Sequence, residues 1–179
     1  MNVMIDLINL LMGIFSWILL ARFWLQWARA DFYNPISQGI VKMTDPVLKP
    51  IRKILPSNRR YDFASILLLL LLPLVVYSLI SLLSGGGLPE LPLLFVLVVK
   101  KTLFLVLSML LYVVIIRSIA SWIAPSGYNP AINLLIQLTE PFLIPLRRII
   151  PPSGGLDWAP MILMIILWFL QNIVTRGAF

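Results

Sequence analysis

The hydrophobic positions of the chain fall into four long runs, separated by segments that mix apolar residues with prolines and basic residues. A helix that crosses the hydrocarbon core of a bilayer needs about 20 mostly apolar residues. Four windows approach that length and predict transmembrane spans: residues 7–27, 63–83, 102–122 and 158–175. No basic residue precedes the first run, which continues past the length of a signal-peptide core, so we expect a retained span.

The chain matches itself when it is shifted by 95 positions, because polar and proline residues recur at that offset without a gap. Apolar bias could align leucines by chance, but it does not explain prolines, arginines and aspartates in one register. The matched pairs include Arg22/Arg117, Trp27/Trp122, Thr44/Thr139, Pro46/Pro141, Arg52/Arg147 and Asp62/Asp157. We therefore predict an all-α membrane protein of two parallel repeats, residues 1–90 and 91–179, related by an axis along the membrane normal.

The same register bears on residues 91–99, an apolar segment too short to cross a bilayer. Leu7 corresponds to Thr102, so the third span is expected to begin after Lys100 and Lys101. Lysines inside the hydrocarbon core would be costly, and this register keeps them at the interface. Residues 91–99 are then expected to form an interfacial or re-entrant helix, or an extension of a tilted third span.

Two loop segments carry one motif, DPVLKPIRKILP at 45–56 and EPFLIPLRRIIP at 140–151. The opening carboxylate precedes a proline, so we expect it to cap a short helix that the second proline interrupts and the third ends. The preceding residues, 36–43 and 131–138, predict another short helix in the membrane plane, which gives a hairpin of interfacial helices. The motif prolines are Pro46, Pro50, Pro56, Pro141, Pro145 and Pro151.

The basic residues lie mainly on one side of the predicted spans. Eleven of the fourteen lysines and arginines fall within or beside the two motif loops. The positive-inside rule then predicts cytoplasmic motif loops and both termini on the opposite side. Basic residues beside apolar spans meet anionic lipid headgroups, so the net charge of +7 predicts a lipid partner and no nucleic acid.

Composition restricts the chemistry that the chain can perform. It is 60% hydrophobic and 12% charged, and it contains neither histidine nor cysteine. Disulfides, thiolate or imidazole metal sites and Ser/His or Cys/His catalytic arrangements are therefore excluded. We expect no catalytic residue, no metal and no cofactor. The alternative is a membrane enzyme that uses carboxylates as acid and base or as magnesium ligands. Those carboxylates are Asp45, Asp62, Glu140 and Asp157.

The charged residues near the span ends each admit two interpretations. Arg22 and Arg117 can reach the headgroups as snorkelling side chains, or they can form a symmetric pair that binds the motif carboxylates or an anionic headgroup or solute. Asp62 and Asp157 can cap the following span, or they can pair with a nearby arginine. The candidate lipid- or partner-binding residues are Arg22, Asp45, Arg52, Lys53, Asp62, Arg117, Glu140, Arg147, Arg148 and Asp157.

The doubled motif, followed by D-[FW]-A within two pairs of spans, resembles the YggT family of bacterial integral membrane proteins, which has chloroplast relatives. The resemblance covers nearly the whole chain and matches the two-repeat, proteobacterial type. It implies a multi-pass protein of the bacterial inner membrane with periplasmic termini. The second copy departs from the first, with Glu140 for Asp45, Ile144 for Lys49 and two glycines at 154 and 155 for two arginines.

The resemblance implies a role in tolerance of osmotic or extracytoplasmic stress, and relatives are linked with cell division, nucleoid distribution and cytochrome assembly. The leading hypothesis is therefore a non-enzymatic membrane scaffold or assembly factor. Its motif hairpins would bind anionic lipids, other membrane proteins or a second copy of the chain. The alternative is a small channel or transporter for ions or osmolytes along the repeat interface. Against it, the spans contain few polar residues.

Overall fold

The computed structural model describes residues 3–55, 58, 60–123, 129–154 and 156–176. Within these ranges the chain forms six helices. They are α1 (Val3–Trp27), α2 (Pro35–Arg52), α3 (Phe63–Leu83), α4 (Leu91–Ile123), α5 (Pro130–Ile149) and α6 (Ala159–Arg176). Four of them, α1, α3, α4 and α6, are long and apolar enough to cross a bilayer, and many large apolar side chains on their outer faces are exposed. The predicted all-helical fold with four spans is confirmed.

The third span is longer than its predicted window. Helix α4 runs without a break through 33 residues from Leu91 to Ile123. Of the alternatives for residues 91–99, the structure shows the extension of the third span. Lys100 and Lys101 therefore lie within a continuous helix, where their long side chains are half-buried and exposed respectively.

The loop helices differ from the prediction of paired short helices. Helices α2 and α5 each continue through both motif prolines, so Asp45 and Glu140 cap nothing. The N-caps are Asn34 and Asn129, whose side chains accept hydrogen bonds from backbone nitrogens two residues later, at 3.0 Å and 2.9 Å. A proline follows each asparagine at the first helical position, where the missing N–H costs nothing.

The continuity of α2 and α5 has a physical reason in the placement of the prolines. Pro46 and Pro50 are four residues apart on the exposed side of α2, as are Pro141 and Pro145 on α5. Carbonyl groups that lose a donor there can be solvated. The opposite sides are buried and hold the helices in place. Pro151 follows the end of α5, as predicted, and Pro56 lies outside the described residues.

The six helices pack as two groups of three, and each group contains one motif helix and two long apolar helices. Helix α1 packs against α2 and α3, and α4 packs against α5, α6 and α3. Trp17 of α1 and Tyr112 of α4, which are 95 positions apart, contact each other with ring centroids 5.7 Å apart. The buried residues include Leu19, Leu20, Leu25, Leu48, Val114 and Leu143.

A second set of contacts joins the two halves where the motif helices lie. The indole nitrogen of Trp24 donates to the carbonyl of Leu138 at 3.2 Å, and the Asn34 amide donates to the carbonyl of Pro130 at 2.7 Å. The ring of Phe142 on α5 contacts the rings of both Trp24 and Trp27 at tilted angles, with centroids 5.6 Å and 5.4 Å apart. We call this end of the bundle the motif end. It comprises α2, α5, the last turns of α1 and α4, and the first turns of α3 and α6.

Candidate functional site

The motif end contains a chain of ionic contacts that we call the first network. Arg52, in the last turn of α2, donates from Nε and Nη2 to the two carboxylate oxygens of Asp62. Ser65, one turn into α3, donates to the same carboxylate at 2.6 Å. Asp45 lies 3.1 Å from Lys49 and 3.8 Å from Arg52. Asp62 and Ser65 are fully buried, so this network fixes the end of α2 to the start of α3 in a region that excludes water.

A second network occupies the corresponding part of the other half. Arg117 donates from Nη1 to Thr139 at 2.5 Å and from Nη2 to Glu140 at 2.6 Å. Arg147 donates to both oxygens of Glu140 at 3.1 Å and to Oδ2 of Asp157 at 2.7 Å and 2.9 Å. Asp157 also accepts from the backbone nitrogen of Ala159 at 3.1 Å. This network therefore links α4, α5 and the start of α6.

Arg22 takes no part in the first network, although Arg117 belongs to the second. The side chain of Arg22 is buried in the last turns of α1, with 7% of the residue exposed. Its Nε and Nη1 have no hydrogen-bond partner among the described residues. The ring of Phe32 lies against the guanidinium, 5.3 Å from its carbon to the ring centroid. The predicted pairing with a motif carboxylate is thus present at Arg117, whereas Arg22 makes a cation–π contact and no ion pair among the residues that the structure describes.

The aspartates that precede α3 and α6 differ in how they meet the helix. Asp62 precedes α3 without a side-chain capping bond, since both of its oxygens face Arg52 and Ser65. The ion-pair alternative therefore holds for Asp62, while Asp157 combines the ion pair with a backbone contact.

The protonation states follow from these contacts. Burial would raise the pKa of Asp62, but the hydrogen bonds from Arg52 and Ser65 and the charge of Arg52 hold this pKa below its usual range. Burial would likewise raise the pKa of Glu140, but the hydrogen bonds from Arg117 and Arg147 lower this pKa below its usual value. The bond to Asp157 raises the pKa of Arg147. The carboxylates of Asp62 and Glu140 are therefore ionised at neutral pH.

Other residues of the motif end carry charge outward. Lys53 and Arg148, two predicted binding residues, are exposed and contribute to neither network. Lys42 and Lys49 are exposed on α2. Two contacting residues, Ser65 and Phe32, were not predicted from the sequence, and neither was the capping role of Asn34 and Asn129. An asparagine followed by proline is a recognisable helix start, so the caps could have been found.

All four candidate carboxylates form ion pairs. Within the ranges that the structure describes, no three acidic side chains cluster closely enough to hold an ion. Each motif carboxylate instead faces a guanidinium or ammonium group, which occupies the oxygen atoms that a magnesium ion would need.

A cavity of about 240 Å³ lies between α1, α3 and α4, and its lining is mainly apolar with several polar groups. Asn9, Ser16, Tyr77, Lys101 and Thr102 supply its polar groups. Leu19 and Leu20 come next along α1 and are almost fully buried, so packed apolar side chains follow the cavity toward the motif end.

Comparison with known proteins gives consistent results. The profile of the CCB3/YggT family matches residues 1–83 and 96–178. The chain is 34% identical over 175 residues to an uncharacterised protein YggT of Escherichia coli strain K12, covering 96% of this chain and 88% of the relative. It is 40% identical over 170 residues to an uncharacterised Vibrio alginolyticus protein in the proC 3' region, covering 94% and 91%. No solved structure matches. The chain therefore belongs to the CCB3/YggT family of integral membrane proteins.

Proposed function

We propose that the protein is a non-enzymatic scaffold or assembly factor of the bacterial inner membrane that supports envelope integrity under osmotic stress. The observation that carries this proposal is the pair of ionised networks at the motif end. Each network ties an amphipathic helix to the start of a span through buried or half-buried arginine–carboxylate bonds. Such bonds hold α2 and α5 at fixed positions, which suits a surface that other molecules recognise.

The exposed side of α2 supports a partner in the membrane interface. Lys42 and Lys49 accompany Met43 and Val47, two large apolar residues that are 60% and 38% exposed. A helix with basic and apolar residues on its outer side binds where anionic headgroups meet acyl chains. Anionic lipids, a neighbouring membrane protein or a second copy of the chain can meet this surface.

The orientation and symmetry belong to the same proposal. The motif end faces the cytoplasm, the termini face the periplasm, and two repeats at an offset of 95 are related by an axis along the membrane normal. The contact between Trp17 and Tyr112 supports this axis, since equivalent residues near a two-fold axis meet each other. The charge distribution supports the orientation.

A cross-linking experiment in cells tests the scaffold. A photoreactive amino acid at Val47 or Met43 is expected to capture defined protein or lipid partners, with yields that change after an osmotic downshift. The matched control is Val75, which is 53% exposed on the apolar span α3. A strain that lacks the protein is expected to survive the downshift less well. Identical products at Val47, Met43 and Val75, with unchanged survival, would remove support for the scaffold.

The cavity between α1, α3 and α4 favours a second candidate, a channel or transporter for ions or small osmolytes. Its test is release of potassium and osmolytes from liposomes during an osmotic downshift, measured for the wild type and for Arg22→Ala combined with Arg117→Ala. Release that requires both arginines would replace the scaffold proposal. Absence of release, from protein shown to be folded and inserted, would reject the channel.

A further inference from the structure

The two networks differ in the acidic residue that opens the motif, Asp45 in the first copy and Glu140 in the second, and this difference bears on what Arg22 can bind. Arg117 meets the carboxylate of Glu140 at 2.6 Å. The equivalent acidic residue, Asp45, is one methylene shorter and lies against Lys49 and Arg52. No carboxylate of the described residues is paired with Arg22, and two of its nitrogens are buried without an acceptor.

We propose that Arg22 is the centre of a binding site for a phosphate oxyanion, carried by an anionic lipid headgroup or by a small phosphate. A buried guanidinium without a counter-charge is costly, and a bound anion removes that cost. The inference rests on the membrane setting of the proposed function and adds a specific ligand class to it.

The second network indicates the chemistry of the ligand. In the place equivalent to the proposed site, one carboxylate oxygen of Glu140, Oε1, accepts from Arg117. A phosphate offers the same kind of acceptor with more oxygens and more charge. Each edge of the Arg22 guanidinium pairs one of the unpartnered nitrogens, Nε or Nη1, with Nη2, and this fork matches two oxygens of a phosphate.

The position of Arg22 favours a headgroup as the source of the phosphate. Arg22 lies five residues before the end of α1, so its backbone is about 8 Å from the helix end along the axis, a distance that an arginine side chain can span to the headgroup region. Phe32, which covers the guanidinium, is 39% exposed, so rotation of this ring opens a path from the surface.

Neighbouring charges leave Arg22 able to accept an anion. The positive charge of Arg52 repels the Arg22 guanidinium, while the negative charges of Asp62 and Asp45 attract this guanidinium from a distance. Asp62 is already occupied by Arg52 and Ser65, and Asp45 by Lys49 and Arg52. The carboxylates nearest to Arg22 are thus engaged elsewhere, and an outside oxyanion meets no competing partner.

The site is tested by titrating the full chain, in nanodiscs of phosphatidylcholine, with phosphatidylglycerol and separately with inorganic phosphate. The wild type is expected to bind one phosphatidylglycerol with clear saturation. Arg22→Gln is expected to weaken this binding by about 10- to 100-fold, the loss typical of a charge-assisted hydrogen bond. Saturation by inorganic phosphate alone would identify a soluble phosphate as the ligand of the same site.

Two charge-conserving variants make the test independent of folding defects. Asp45→Glu restores the carboxylate length found in the second network, so it is expected to pair with Arg22 and prevent binding. Glu140→Asp is expected to release Arg117 and add a second bound lipid. Arg176→Gln is the control that removes an exposed cation from the last residue of α6, away from the motif end, and it is expected to change the saturable site little.

Equal affinity and stoichiometry in the wild type, Arg22→Gln and Asp45→Glu would overturn the site. The cross-linking test of the scaffold is read separately at Val47 and Met43. If cross-linking finds no defined partner but Arg22 still binds lipid, the scaffold is rejected and the Arg22 site is retained. If Arg22 binds no lipid but the cross-links persist, only the Arg22 site is rejected.

Discussion

The guanidinium of Arg52 donates to both carboxylate oxygens of Asp62, across the turn that separates an amphipathic helix from a transmembrane span. Asp62 is fully buried, and Arg52 is 22% exposed. The pair therefore fixes the angle at which α2 meets α3. Removal of one partner leaves the other charged and unpaired, which costs more than the pair itself contributes.

We expect Asp62→Asn to lower the free energy of unfolding by about 3–5 kcal/mol, the range for breaking a buried ion pair. The matched change in the other half is Asp157→Asn, where the carboxylate is 32% exposed and water can replace it. Asp157→Asn is expected to lower the free energy of unfolding by less than half as much as Asp62→Asn. Unfolding in detergent by urea or heat measures both. Equal losses would show that burial does not distinguish the two pairs.

Acid is expected to destabilise the protein through Asp62 and Glu140. The folded-state pKa of each is lowered below its unfolded value, which is about 4. Their contribution is therefore fully present above about pH 5 and is lost as the pH falls through the folded-state pKa values. Thermal unfolding between pH 3 and pH 7 measures this loss. Glu140→Gln is expected to be less stable at neutral pH and to show a shallower decline, and an unchanged slope would contradict the assignment.

Arg29 has a φ of 53°, in the left-handed region that favours glycine. It ends α1 in a turn where Ala30 donates to the carbonyl of Leu25 at 2.9 Å, a Schellman-type bond. We expect Arg29→Gly to raise the free energy of unfolding by up to about 1 kcal/mol. Arg29→Ala keeps the Cβ strain and is the control, with no expected gain. A gain in both variants would point to charge instead of backbone conformation.

Asn34 has two functions that a pair of substitutions can separate. It caps α2 and also donates to the carbonyl of Pro130 in the other half, whereas Asn129 caps α5. Asn34→Ala is expected to lower stability by more than Asn129→Ala, which removes a cap worth about 1 kcal/mol. Asn34→Asp keeps the cap and loses the donor, so it is expected to fall between Asn34→Ala and the wild type. Equal stability of Asn34→Asp and the wild type would show that the bond to Pro130 contributes nothing.

Hydrophobic length predicted the four spans well, because a bilayer imposes one minimum on every crossing helix. For residues 91–99 it left three possibilities open, an interfacial helix, a re-entrant helix or an extension of the third span, because Lys100 and Lys101 argued for an interface there; the structure shows the extension. The helix accommodates them because long lysine stems extend the charge away from the backbone.

The prediction that the motif prolines start and interrupt short helices was wrong. Pro46 and Pro50 were expected to start and interrupt a helix, whereas packing on the opposite side of α2 outweighs the lost hydrogen bonds. The sequence also suggested that Arg22 and Arg117 form a symmetric pair. Their surroundings differ: Glu140 pairs with Arg117, whereas Asp45 is shorter by one methylene and pairs with Lys49, which Ile144 replaces in the second copy.

Helix α4 is a continuous rod of 33 residues, about 50 Å long at 1.5 Å per residue, while the hydrocarbon core of a bilayer is about 30 Å thick. A rod of this length fits only by tilting or by emerging from the hydrocarbon. Because α4 packs against α3, α5 and α6, a change in its tilt moves all three together. A thinner bilayer therefore requires a larger tilt of α4 or a longer part of it outside the hydrocarbon.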